Sequence, residues 1–402
     1  MLEKNYRMLI VSLFRGLGAV ASVALIYVVY YYYNLSISAE FFLFSSLCAF
    51  VTVVLKYGLD DYILKIFSQS HRYNPLFLIA KALCISFIIV LFLIIPILHL
   101  YFNFTVPWYF FLIIPFSVGN TLSSSYFQAR KNFYISLIGS SFIVPLVTIV
   151  IILIFFPSTS NQLVGTFCLS IILQSIFLIA AFIYKKIYNF ELSKNKIFGK
   201  TQLILWVNTI IGISSIHLII LVSNFFMSPE QFTNFVLLLR TCQSALMVLV
   251  VINFTFIPFY RTCIVEKRFS DASALYKRTC FLGFLCSIII TFIFFVGFQN
   301  YFLLVPSSFL EMKHNFFLLW PGFAISLCFG SIGYVFILNS QEKISTFIGF
   351  ITLATQIVLI SGLEYYSYTL FLILMSFSYS FAKFILYLIY INFYQQKKLY
   401  VS

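Results

Sequence analysis

Five charged residues sit where chemistry would have to be done in hydrocarbon or at its edge. Arg15, Arg240 and Lys383 lie inside long apolar runs, and Asp60 and Asp61 follow one directly in "KYGLDDYILK". A cation at the centre of a bilayer costs about 3 kcal/mol on insertion scales and more in simulation. Each therefore calls for an ion pair, a carbonyl contact, a water-filled cavity or an anionic ligand. A guanidinium meets phosphate or carboxylate with two parallel hydrogen bonds, and an ammonium meets them as a point charge. The chemistry offered is capture of an anion, not the making or breaking of bonds. Nothing resembles G-x-x-x-x-G-K-[ST], H-E-x-x-H or a nucleophile elbow, so neither an enzyme nor a cofactor is expected. The eight cysteines lie in spans or on the inner side with no C-x-x-C spacing. They read as small apolar thiols rather than metal ligands.

The neighbours of these charges on a helix sharpen the reading. Glu230, Thr233, Gln243 and Ser244 share with Arg240 an arc of roughly 140°, and Arg240 is too deep to reach either surface easily. It is either one partner of a structural contact between helices or a cavity cation that meets an anionic substrate. Lys383 stands on a stripe with Ser376, Tyr379, Ser380 and Tyr387, and Arg15 shares its face with Ser12, Gly18, Ala19 and Ser22. For both, packing or snorkelling competes with substrate contact. Lys81 reads as an inner-end anchor. His217 could relay protons, or could be one member of a helix–helix hydrogen bond. Pro145 can kink its helix, and "GNTLSSSYFQ" (119–128) makes the inner half of its span polar. No Asp or Glu falls at mid-span. The interior is cationic, which suits an anion better than an organic cation. Asp60 and Asp61 are the carboxylates near the inner mouth of the first half, and at least one is expected to pair with an inner Lys or Arg as part of a gate.

The elements that must position these residues are membrane spans. Of 402 residues, 62% are hydrophobic and 9% charged, whereas a soluble domain is about a quarter charged. Hydropathy gives twelve spans, at 10–33, 39–57, 76–98, 108–127, 133–156, 163–184, 201–223, 231–258, 281–298, 316–338, 344–363 and 369–391. With the N-terminus inside, the inner segments hold twenty of the 25 Lys and Arg and the outer segments only Lys313. That bias is the positive-inside signal, so both termini are expected in the cytoplasm. The net charge of +14 is then topology, not a nucleic-acid footprint. The first apolar run has no small-residue cleavage site and reads as a span, not a removable leader. Short outer loops leave no room for a catalytic domain outside.

The charged stretch 185–200 divides the chain into a six-helix lobe, 1–184, and a second, 201–402. "SISAEFF" (36–42) and "FMSPEQF" (226–232) open the second span of each lobe alike, as a duplicated transporter would. The fold class expected is all-α and polytopic, with two six-helix lobes. With these lobes, inside termini and "YGLDDYILKIFSQ" after span two, the chain resembles the O-antigen (Wzx-type) flippases of the multidrug/oligosaccharidyl-lipid/polysaccharide, MATE-like, exporter superfamily. The resemblance runs the length of the chain and is most specific at 58–60 and 226–240. It implies a protein of the bacterial inner membrane that turns an undecaprenyl-pyrophosphate-linked glycan from the inner to the outer leaflet by alternating access. It also implies a cationic cavity between lobes with contributions from spans one and eight, which carry Arg15 and Arg240. A polysaccharide polymerase and a chain-length regulator are further candidate partners. Ion coupling, usual in such families, lacks a mid-span carboxylate here. A multidrug cation exporter and a membrane glycan polymerase are the alternatives, the first lacking the buried acids it needs and the second the large outer loop.

Overall fold

In hydrocarbon every backbone N–H and C=O must be satisfied within its own segment, so runs of this hydropathy close into helices. The computed structural model describes residues 2–60, 63, 75–97, 107–130, 132–185, 200–300, 308–330, 332–339, 341–365 and 367–399. They are helical with no strand among them, and the helices follow the twelve expected spans. Seven helices among the described residues are long and apolar enough to cross a membrane. By its contacts the chain divides into two compact units, Met1–Leu221 and Val222–Ser402.

Unit 1 begins with α1 (Leu2–Tyr32) and α2 (Leu35–Leu55). The Asn34 side chain accepts the Ile37 N–H at 2.9 Å to cap α2. Helix α3 (Pro75–Ile89) continues through a π-turn, Val90–Ile94, and α4 (Ile113–Ala129) follows a 3-10 turn, Trp108–Leu112. The α5 passage is three pieces, Phe133–Leu137, a π-turn at Ile138–Phe142 and Ile143–Phe155. Pro145 lies one turn beyond that π-turn and cannot donate to the carbonyl four residues earlier. Helix α6 (Ser160–Tyr184) and most of α7 (Lys200–Phe226), up to Leu221, complete the set. Helix α6 is inside-out relative to a soluble helix. Ile172, Ile176, Ile179 and Ile183 are exposed while Gln174, Ser175 and Leu178 are buried, the arrangement a lipid solvent demands.

Unit 2 holds α8 to α13. Helix α8 (Pro229–Val265) opens on a capping box between Ser228 and Gln231. It is followed by α9 (Phe269–Asn300), α10 (Ser308–Cys328), the short α11 (Ile332–Leu338), α12 (Glu342–Ser361) and α13 (Tyr368–Leu399). The turn into α9 carries Lys267 at positive φ, and Arg268 bridges Glu266 and Asp271 on its exposed surface. Helix α10 packs closely because two of its contacts are glycine-sized. A side chain on Gly322 would collide with the Ser376 carbonyl of α13, and one on Gly283 of α9 with the Leu327 carbonyl. A cluster including Phe256, Tyr260, Tyr276, Val335, Phe336 and Tyr390 fills one end of the unit. The Tyr276 hydroxyl donates to the Phe329 carbonyl at 3.0 Å, which ties α9 to the break between α10 and α11.

Candidate functional site

In unit 2 the expected cations are both partly buried and stand on parallel helices. Arg240 interrupts a stretch of α8 in which Phe235 to Leu239, Thr241 and Cys242 are all buried. The hydroxyls expected beside it bond back to their own helix, Thr233 to the Pro229 carbonyl and Ser244 to the Thr241 carbonyl. Gln243, one turn on, keeps its Nε2 enclosed with no hydrogen-bond partner among the described residues. Leu237 and Leu239 are as buried as Thr233, so the polar arc on α8 is not set off against a lipid-facing side in this stretch. The stripe around Lys383 is used for packing. Ser376 Oγ accepts the Gly322 N–H at 2.7 Å, the Tyr379 ring meets Phe323, and Tyr387 meets Phe329. Lys383 itself lies beyond that contact. A Cβ placed on Gly333 would stand 3.9 Å from its Nζ and 4.0 Å from Ser345 Oγ. The glycine thus leaves room for the ammonium, and no hydrogen bond or ion pair reaches it among the described residues.

The relative depth of the two cations follows from neighbouring contacts. Phe235 and Phe371 meet with ring centroids 5.3 Å apart. Counting from this pair at 1.5 Å per residue, Lys383 is about 10 Å further along the common helix direction than Arg240. The two form a pair of steps along one unit, not a single cluster.

Unit 1 contains a cavity of about 540 Å³ whose wall sets hydroxyls and amides among apolar side chains and includes no Asp, Glu, Lys or Arg among the described residues. Its titratable lining groups among the described residues are His217 and Cys48. Asn120 Nδ2 donates to Gln174 Oε1 at 2.8 Å and to the Ile171 carbonyl at 3.2 Å, and Gln174 Nε2 donates to the Gly139 carbonyl. A π-turn leaves backbone carbonyls without their usual i+4 partner, and the Gln174 amide supplies one at Gly139. The sequence marked 119–128 as polar and Pro145 as a kink, and both line this cavity. What it did not disclose is Gln174 and Phe167 facing them from α6. A lone amide in an apolar span was the available signal for Gln174.

Just past the C-terminal end of α2, Asp60 forms an i,i+4 ion pair with Lys56, a lysine with 7% of its side chain exposed. The pairing follows from a turn in which Tyr57 and Gly58 both have positive φ, which the glycine takes without steric cost. Trp206 of α7 covers this turn, donating to the Val54 carbonyl at 3.0 Å. Asp61 and the linker residues 186–199 lie outside the described residues. So does the side chain of Arg15, whose backbone is helical in α1. Arg15 is seven residues, two turns, before Ser22 on the same face, and Ser22 lines the unit 1 cavity. Glu40, in the second turn of α2, has its Oε2 enclosed with no hydrogen-bond partner among the described residues.

No family model matches the chain, and none of the curated proteins matches it significantly. Solved structures do. An inward-facing multidrug resistance MATE family transporter of the MOP superfamily aligns with TM-score 0.71 at 10% identity, covering 98% of this chain and 96% of its own. The Vibrio cholerae MATE transporter VcmN in its bent form aligns with TM-score 0.66 at 11% identity over 98% of each chain. A MOP superfamily transporter from Pyrococcus furiosus, described as having a binding pocket of reversed polarity that suggests a different function, aligns with TM-score 0.68 at 13% identity over 98% and 96%. The chain therefore has the MATE-like transporter fold, end to end.

Proposed function

We propose that this protein is a membrane transporter, and specifically a flippase for an undecaprenyl-pyrophosphate-linked oligosaccharide such as an O-antigen or capsule repeat unit. It carries the cargo from the cytoplasmic to the outer leaflet of a bacterial inner membrane by alternating access, using Arg240, Arg15 and Lys383 as counter-charges to the pyrophosphate. The observation that carries this reading is the sign of the enclosed charge. Arg240 and Lys383 are set about 10 Å apart in depth within unit 2, and the cavity of unit 1 has no acid among its described lining residues. A pathway for organic cations wants the opposite. The interior-negative potential adds about 2.3 kcal/mol per 100 mV for each negative charge moved outward, so a diphosphate travels with the field.

The test is purified protein in vesicles loaded with lipid-linked glycan, with a lectin outside that reads the outer leaflet. Lectin-accessible glycan is expected to rise faster than in protein-free vesicles, and an unchanged rate overturns the reading. One observation favours a second reading, a MATE-like cation exporter: the enclosed, unpartnered Oε2 of Glu40. That reading expects proton- or sodium-driven efflux of ethidium from the same vesicles, abolished by Glu40→Gln.

A further inference from the structure

We propose that the cavity of unit 1 is a saccharide site, which holds a neutral, polyhydroxylated part of the cargo while the pyrophosphate is held elsewhere. The inference rests on the flippase reading and names a subsite that the cationic residues do not provide. Three features of the wall lead to it.

The first is its chemistry. Hydroxyls and amides from α1, α2, α4 and α6 face one space, among them Ser22, Thr52, Asn120, Ser124 and Gln174. A sugar ring presents alternating donors and acceptors in every direction, and a wall of groups that can both donate and accept meets it without a net charge. Among the described lining residues an anion finds no Lys or Arg and a cation no carboxylate, while the hydroxyls and amides offer hydrogen bonds that a lipid tail does not use.

The second is unused hydrogen-bonding capacity. Thr52 is 7% and Ser124 4% exposed, yet Thr52 Oγ1 and Ser124 Oγ have no hydrogen-bond partner among the described residues. Buried hydroxyls in folded proteins almost always find partners. Both oxygens are enclosed as they stand, and a turn of each side chain about its Cα–Cβ bond would bring them to a ligand in the cavity that completes them. Their neighbours are not free in the same way, since Asn120 and Gln174 are held to each other and to backbone carbonyls. The wall thus has a fixed frame with two hydroxyls left over.

The third is an aromatic ring. Phe167 lines the cavity and is braced by edge contacts to Phe41 and Phe44, at 5.8 and 6.3 Å between centroids. The face of such a ring carries the negative part of its quadrupole, on which the C–H face of a sugar packs. The volume of about 540 Å³ lies within the ~300–1,000 Å³ of small-molecule pockets, which is room for a saccharide, not for a single ion.

The experiment compares two probes on the full-length protein in detergent: undecaprenyl pyrophosphate, and the lipid-linked glycan extracted from the host. The variant is Thr52→Val with Ser124→Ala. It removes two hydroxyls with no hydrogen-bond partner among the described residues, so no described hydrogen bond is lost. Expected is at least tenfold weaker binding of the glycan-bearing lipid with no loss of thermal stability, and little change for the sugar-free lipid. Thr52→Ser with Ser124→Thr keeps both hydroxyls and should restore most of the affinity. Glycan-lipid binding equal to wild type in the first variant overturns the saccharide site and leaves the flippase reading standing. Equal weakening of both probes also overturns it, because the hydroxyls would then serve the lipid or the fold. A wild-type protein that binds neither probe overturns the flippase reading and the subsite with it.

Discussion

At the scale of single residues, the decisive question is whether Arg240 serves the cargo or the fold. A guanidinium set among buried side chains of α8 is stabilising only when something opposite it is negative or polar. If that partner is the pyrophosphate, charge should count for more than shape. Arg240→Lys is expected to keep part of the surface glycan in a complementation assay, and Arg240→Ala and Arg240→Glu to abolish it at normal protein level. A drop in folded Arg240→Ala with normal export by the survivors would assign the residue to structure. The Lys56–Asp60 pair makes a different prediction. Lys56 is buried, so removing its partner strands a charge, at a cost of about 3 kcal/mol or more. Asp60→Leu alone should therefore melt several degrees lower in detergent, and Lys56→Met with Asp60→Leu should recover most of the loss. If the pair also works the inner gate, as we propose, the stable double variant still fails to export. Normal export by it would leave the pair a purely structural device.

Among the elements, α10 shows how closely the helices of unit 2 approach. Helix association in lipid relies on packing and interhelical hydrogen bonds, and small residues let backbones come near. Gly322 and Ser376 are such a contact, with the Gly322 N–H bonded to Ser376 Oγ and no space for a Cβ. Gly322→Ala must push α10 from α13 and is expected to cost roughly 1–3 kcal/mol, read as a lower melting temperature and poorer yield. Gly333→Ala is the control. Its Cβ would meet Lys383 Nζ at an ordinary 3.9 Å, and the protein should melt as wild type does. Equal destabilisation by the two would show that close packing at Gly322 is not what holds α10. The two caps that open α2 and α8 belong to this scale as well. "SISAEFF" and "FMSPEQF" both begin helices, but Asn34 caps one six residues before Glu40 and Ser228 caps the other two before Glu230. Phe42 and Phe232, which the two stretches align, are both buried.

For the molecule as a whole, the charge bias of the loops makes the topology testable. Cysteines at Ser158 and Ser367, both exposed at helix ends, are expected to react with an impermeant maleimide added to intact cells. Cysteines at Ser270 and Ser193 should stay protected until the membrane is opened. Reaction at Ser193 from outside would reverse the proposed orientation, and with it the direction of the field on the cargo.

The all-helical polytopic fold was legible in the sequence, because hydrocarbon permits so little else. Apolar runs of span length have to be helices, and the Lys and Arg between them carry the topology. The enclosed cations could also be located from sequence, since a charge in an apolar run is conspicuous wherever it falls. What surrounds them could not. A helical wheel cannot say whether a polar stripe faces water or a neighbouring helix, and around Lys383 the stripe packs on α10 and on the break that follows it. The unit 1 cavity depended on tertiary structure altogether. Its wall is gathered from helices far apart in the chain, each giving one or two hydroxyls or amides that look incidental alone. Only the packing of α4 against α6, with Asn120 bonded to Gln174 across 54 residues, turns those scattered groups into one surface.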